Sequence, residues 1–158
     1  MMQNKIYYSF VTLLAAIILF HSVGHSELTT KKERSDKWIL FGKSNVGIHY
    51  YDKRSIEKVS ATIIKVWTKV KLSNEEKIKL IQDRIKNNLP TVGWEELSEE
   101  IALNELDCAN KTHKVYKLSS YNCQGKSIND LEFANKDMEK VMPETIDEGL
   151  VRIACMNR

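Results

Sequence analysis

Three cysteines, two strand histidines, a serine pair and four clustered glutamates are the residues whose types and spacing could do chemistry. Cys108, Cys123 and Cys155 could close a disulfide, and geometry separates the pairings. If Cys108 ends a strand and residues 109–112 reverse the chain, Cys123 lies about ten residues down the return strand. At about 3.3 Å per residue that is roughly 30 Å, far past the roughly 4–7 Å Cα separation a disulfide tolerates. Cys155 sits on a C-terminal helix that must pack on the sheet, which would bring it to one sheet end, so Cys108–Cys155 is the expected bond. Cys123 is then left at a hairpin tip, exposed, as a candidate thiol for an intermolecular disulfide and hence a homodimer.

The other groups point away from catalysis. His49 and His113 fall in separate strands, with no His, Cys or carboxylate partner at metal-ligand spacing, so they read as ordinary strand residues. Ser119 and Ser120 near His113 could be cast as nucleophile and base, but no Gly-x-Ser-x-Gly elbow strains either serine into reach. There is no glycine-rich phosphate loop. Glu95, Glu96, Glu99 and Glu100 could attract a cation, yet they read as a solvated acidic turn. Asn110-Lys-Thr112 is a glycosylation sequon, meaningful only on a eukaryotic secretory route. No catalytic residue, cofactor or metal is expected.

These residues need elements to hold them. Residues 38–41 and 48–51 read as a hairpin across a Gly/Asn/Ser loop. Residues 62–72 form the clearest strand: Ile64, Val66, Thr68, Val70 and Leu72 on one face, Ile63, Lys65, Trp67, Lys69 and Lys71 on the other. Trp67 breaks the wet face, either beneath a covering element or as an exposed aromatic anchor. Ser73 and Glu76 have capping-box spacing and open a helix near residues 74–88, with Ile78, Ile81 and Ile85 as its apolar stripe. Residues 101–108, 113–121 and 126–133 read as three more strands. Thr145 and Glu148 repeat the cap, and Ile146, Leu150 and Ile153 line a final helix. The class is α+β: an antiparallel sheet of about six strands, a C-terminal helix packed on it, and an additional helix near residues 74–88.

The compartment follows from the start of the chain. Residues 10–20 are apolar except for Thr12, the length of a signal-peptide core and short of the roughly 20 residues a membrane span needs. Residues 1–24 are expected to be a signal peptide cleaved after Gly24, with Ser26 as the second choice, and residues 25–37 a flexible lead-in. No cysteine stands near the cleavage region, so the product is exported without a lipid or other stable membrane anchor. Without Lys5 the remaining 23 cations and 21 carboxylates leave a charge of +2, too slight and too mixed for nucleic-acid binding.

Trp38-Ile-Leu-Phe41, Tyr50-Tyr51-Asp52 with Ser55-Ile56, Lys65-Val-Trp67-Thr-Lys69, Leu106-Asp-Cys108, Gly125-Lys126 and Pro143, Ile146 and Cys155 stand in an order that resembles the surface-adhesin protein E family. The resemblance covers residues 38–155 and implies a bacterial secreted or surface domain, so that residues 38–158 form a single domain of that kind. It implies a partner among host matrix or serum proteins, such as vitronectin or laminin. The expected function is therefore a non-catalytic binding module in the periplasm or at the cell surface. It would engage a protein through exposed aromatics such as Trp67 and Tyr121. The alternative is a small exported enzyme whose site is assembled from scattered residues.

Overall fold

A ten-residue strand, Ile63–Leu72, organises the protein. The structure is a computed structural model that describes residues 37–133 and 135–157; the expected signal peptide and all but the last residue of the lead-in lie outside the described residues. Numbering strands along the chain, β1 is Trp38–Lys43, β2 Gly47–Asp52, β3 Glu57–Lys58, β4 Ile63–Leu72, β5 Leu97–Asp107, β6 Thr112–Asn122, β7 Ser127–Glu132 and β8 Glu139–Lys140. The sheet runs β1-β2-β4-β5-β6-β7, with β3 beside β4 and β8 beside β6. Every pairing is antiparallel. The six expected strands are present, and the two extra ones are two-residue segments too short to carry a period.

Strict alternation gives β4 two different faces. Ile64 and Val66 are fully buried on one, while Lys65, Trp67 and Lys69 point to the other. Both helices pack on the first face. Helix α1, Asn74–Lys86, starts where the Ser73 hydroxyl accepts the Glu76 N–H at 3.2 Å. Helix α2, Ile146–Met156, starts likewise at Thr145, which accepts from Glu148 N–H at 3.3 Å. Each cap contributes about 1 kcal/mol.

The core forms two clusters over the two ends of β4. Tyr51, Ile64, Val66 and Leu106 lie beneath Leu150, Val151 and Ala154 of α2. Leu72, Trp94 and Leu97 lie beside Leu80 and Ile81 of α1. The α1 stripe therefore differs from expectation: Ile78 and Ile85 are 57% and 62% exposed, and Leu80 and Ile81 turn inward. Arg84 takes the next inward place, its guanidinium 4.0 Å from the Trp94 ring centre. The helix also ends at Lys86, before the expected residue 88, because Asn88 takes a left-handed conformation.

Cys108 and Cys155 are disulfide-bonded, with Cα atoms 5.7 Å apart, so the tail of α2 is tied to the end of β5. Closing a loop of 47 residues stabilises the fold by about 4 kcal/mol in the chain-entropy account. At the other end of the sheet, β2 approaches β4 so closely that a Cβ on Gly47 would lie 2.0 Å from the Lys71 carbonyl oxygen.

Candidate binding surfaces

Two surfaces on opposite sides of the sheet gather charged, polar and aromatic side chains. The open face, away from both helices, carries Trp67 in the middle of β4, opposite Leu103 of β5. Lys65 and Lys69 flank it. The Lys69 ammonium lies 5.0 Å from the Trp38 ring centre, 5.5 Å from that of Tyr50 and 3.6 Å from the Glu99 carboxylate. Lys65 lies 4.6 Å from the Tyr116 ring centre and 3.7 Å from Glu105, which also receives Lys114 at 3.5 Å. Lys117 meets Glu132 at 3.7 Å on the outer strand β7. The result is a lattice of aromatic rings, lysines and carboxylates in which Lys65 and Lys69 are each held between a carboxylate and a ring, while Lys114 and Lys117 each meet one carboxylate. Trp67 stands inside it half-buried, its ring in no aromatic or cation contact among the described residues.

Neither helix covers Trp67, because both sit on the other side. Tyr121 shares its face but lies level with Glu99 and Lys71, about 13 Å further along the strands and about 10 Å across. The structure therefore puts Trp38, Tyr50 and Tyr116 into the lattice with Trp67 and leaves Tyr121 at its margin. Parity could have found Tyr50 and Trp38: Tyr50 pairs with Lys69, and Trp38 precedes Leu40, the β1 residue opposite Tyr50, by two positions.

The helix-bearing face holds a cleft of about 640 Å³ between the start of α2 and the loop at residues 43–46. Its floor is Thr68, Val70, Glu100, Ala102 and Asn104. Asn104 is 5% exposed and donates its side-chain N–H to the Thr68 hydroxyl at 2.8 Å. Glu100 accepts from the Ser120 hydroxyl at 3.1 Å, and burial, with the Glu76 carboxylate as a lesser cause, raises its pKa despite that bond. His49 at the rim exchanges a hydrogen bond with the Ser44 hydroxyl at 2.8 Å; burial lowers its pKa, with Asp147 opposing. His113 lies beside the same Asp147, Nε2 to carboxylate 3.5 Å, while its buried Nδ1 has no hydrogen-bond partner.

The other predicted residues scatter. Ser119 and Ser120 turn to opposite faces, one bonding Asp130 and the other Glu100, and neither hydroxyl reaches His113. The acidic run is not a single solvated turn. Glu95 and Glu96 lie in the short turn Trp94–Glu96, but β5 begins at Leu97, four residues before the expected 101, and takes in Glu99 and Glu100. Glu96 there accepts from the Asn122 side chain at 3.0 Å. Among the described residues no group of three or more His, Cys, Asp or Glu could hold a metal ion. Cys123 is an exposed free thiol at the turn after β6. A second groove, about 850 Å³, flanks the disulfide between Val141, Met142, Val151 and Met156. Among the described residues no helix is long and apolar enough to cross a membrane.

A family model described as surface-adhesin protein E matches residues 38–156. No curated protein matches the sequence. Among solved structures, Haemophilus influenzae protein E is similar at 16% identity, covering 77% of this chain and 85% of that one, with a TM-score of 0.47.

Proposed function

The chain belongs to the surface-adhesin protein E family, and from that premise we propose that it is an exported, non-catalytic module that binds a protein partner through the open face of its sheet. The observation that carries this reading is Trp67. A half-buried indole with no ring or cation contact among the described residues stands among lysines and carboxylates that pair with one another. Such a residue is the anchor type that dominates binding energy at protein interfaces, where surrounding polar groups exclude water. By family likeness the partner is a host matrix or serum protein. Localisation is read as periplasmic or cell-surface. The non-catalytic reading is supported by Ser119, Ser120 and His113, each hydrogen-bonded or paired to a different carboxylate.

The test is binding of the purified protein to immobilised matrix and serum proteins, vitronectin and laminin included. Trp67→Ala should weaken binding by about tenfold or more while leaving the circular dichroism spectrum intact. Equal binding by Trp67→Ala refutes the open face as the interface. No binding across the panel refutes a host matrix or serum partner.

A further inference from the structure

The cleft on the helix-bearing face is a separate feature on the side of the sheet away from the proposed partner surface. Its floor sets Thr68, Glu100 and Asn104 among Val70 and Ala102, where a closed core would be apolar throughout, and one group there lacks what its neighbours have. Along β5, Glu99 is paired with Lys69, Glu105 with Lys65 and Lys114, and Asp107 accepts hydrogen bonds from Ala109 and Asn110. Glu100 alone among these carboxylates has only a hydroxyl, that of Ser120. No lysine, arginine or histidine nitrogen comes within 4.0 Å of it among the described residues. A carboxylate drawn out of water without a cation is costly, and proteins compensate such groups or leave them for a ligand to compensate.

We propose that this cleft binds an aliphatic ammonium or guanidinium group, with its cation on Glu100 and its stem between Phe41, Val46, Leu118 and Ile146. The surroundings fit that charge. Glu144 and Asp147 stand at the α2 wall and Glu76 on α1 acts on Glu100, against the ammonium of Lys43 and the imidazole of His49; Lys69 also lines the cleft, but its ammonium lies 3.6 Å from Glu99 on the open face. The Thr68 hydroxyl and the Asn104 amide are polar lining further along the floor, Asn104 four residues and so about 13 Å from Glu100 on β5. A volume of about 640 Å³ is within the range of small-ligand sites and well above one butylguanidinium. The same group could arrive free or as a side chain of a polypeptide, and both present identical chemistry to Glu100.

The probes are n-butylguanidinium, n-butanol as its uncharged match, and an acetylated glycine-flanked arginine pentapeptide amide, titrated into the purified protein and followed by NMR. Butylguanidinium should shift the amides of Thr68, Ala102 and Asn104 saturably, and butanol should not. It should also lower the titration midpoint of the Glu100 carboxyl, a readout in the wild-type protein that does not depend on any variant folding. Glu100→Gln, which keeps a partner for Ser120, should weaken binding about tenfold or more. Tighter binding of butylguanidinium points to a free cation, and tighter binding of the peptide to a side chain. Absence of shifts at millimolar concentration, or equal binding by Glu100→Gln, overturns the proposal. Neither outcome bears on the open face, whose test uses Trp67.

Discussion

Glu99 and Glu100 are consecutive in β5 and send their carboxylates to opposite faces of the sheet, one to the Lys69 ammonium at 3.6 Å and the other to the Ser120 hydroxyl at 3.1 Å. Only the second is left with its charge uncompensated. Its folded pKa is raised, so folded protein binds this proton more tightly than unfolded chain does. Stability therefore falls as pH rises from about 4.3, the unfolded glutamate value, through the folded one, and levels off above it. Glu100→Gln should remove that fall. The measurable outcome is a melting-temperature gain for Glu100→Gln that is absent at pH 4, grows with pH and then becomes constant. A variant less stable than wild type at neutral pH would show that the carboxylate is a structural asset.

The disulfide carries a second expectation. Cys108 packs with Cys155 against the cluster of Leu106, Leu150 and Val151, so the bond both shortens the unfolded chain's freedom and holds α2 down. Replacing both cysteines by alanine should lower the unfolding free energy in urea by about 4 kcal/mol. Amide exchange should accelerate first in α2, at Val151 and Ala154, and least in β4. An unchanged urea midpoint contradicts this account.

How much of this was legible depended on whether each residue's partner lay nearby in sequence. Ten residues of alternation made β4 plain, and Ser73 and Thr145 announced their helices because a cap bonds within its own turn. The Cys108–Cys155 bond was legible because strand length excluded the nearer cysteine. By contrast, β3 and β8 are two residues long and carry no period. The inward face of α1 departs from the apolar stripe since Arg84, not Ile85, faces the sheet: its guanidinium stacks on Trp94, and composition alone cannot show that a charged residue is turned inward. The start of β5 was hidden because Glu99 and Glu100 find their partners on β4 and β6. The lattice around Trp67 was half-visible, with its lysines read as a wet face and Trp38, Tyr50 and Tyr116 unassigned until the strands were paired.

Gly47 is where the hairpin meets β4, and its backbone has φ of 156°. Alanine there would press its methyl into the Lys71 carbonyl, backbone against backbone, where no side chain can swing aside. Gly47→Ala should cost about 2 kcal/mol or more and weaken the Gly47–Leu72 end of the β2–β4 ladder. Hydrogen exchange at Ile48 and Leu72 checks it. Gly125→Ala is the control for positive φ alone, since a Cβ at Gly125 meets nothing within 4 Å.

Cys123, exposed in the turn after β6, tests the dimer. Non-reducing electrophoresis of the native protein should show a dimer that reductant removes and that Cys123→Ser never forms. Monomer in both lanes excludes this thiol as the link.

Trp38 and Trp67 share a face but not a role. The Trp38 ring receives two lysines, Lys37 at 5.4 Å and Lys69 at 5.0 Å, and so helps hold β1 to the sheet, while Trp67 makes no such contact among the described residues. Trp38→Ala should therefore lower stability by about 1–2 kcal/mol, from lost cation–π contacts and lost burial. Because it also removes one of the Lys69 ammonium's partners, leaving Glu99 and Tyr50, it should make partner binding more sensitive to salt. Trp67→Ala should weaken partner binding with a smaller effect on stability, since both rings are half-buried but only that of Trp38 carries cation contacts among the described residues. Paired urea titrations and binding curves at two salt concentrations separate the two. If Trp38→Ala and Trp67→Ala shift stability equally and binding equally, the lattice acts as one packed unit and Trp67 is not a distinct anchor.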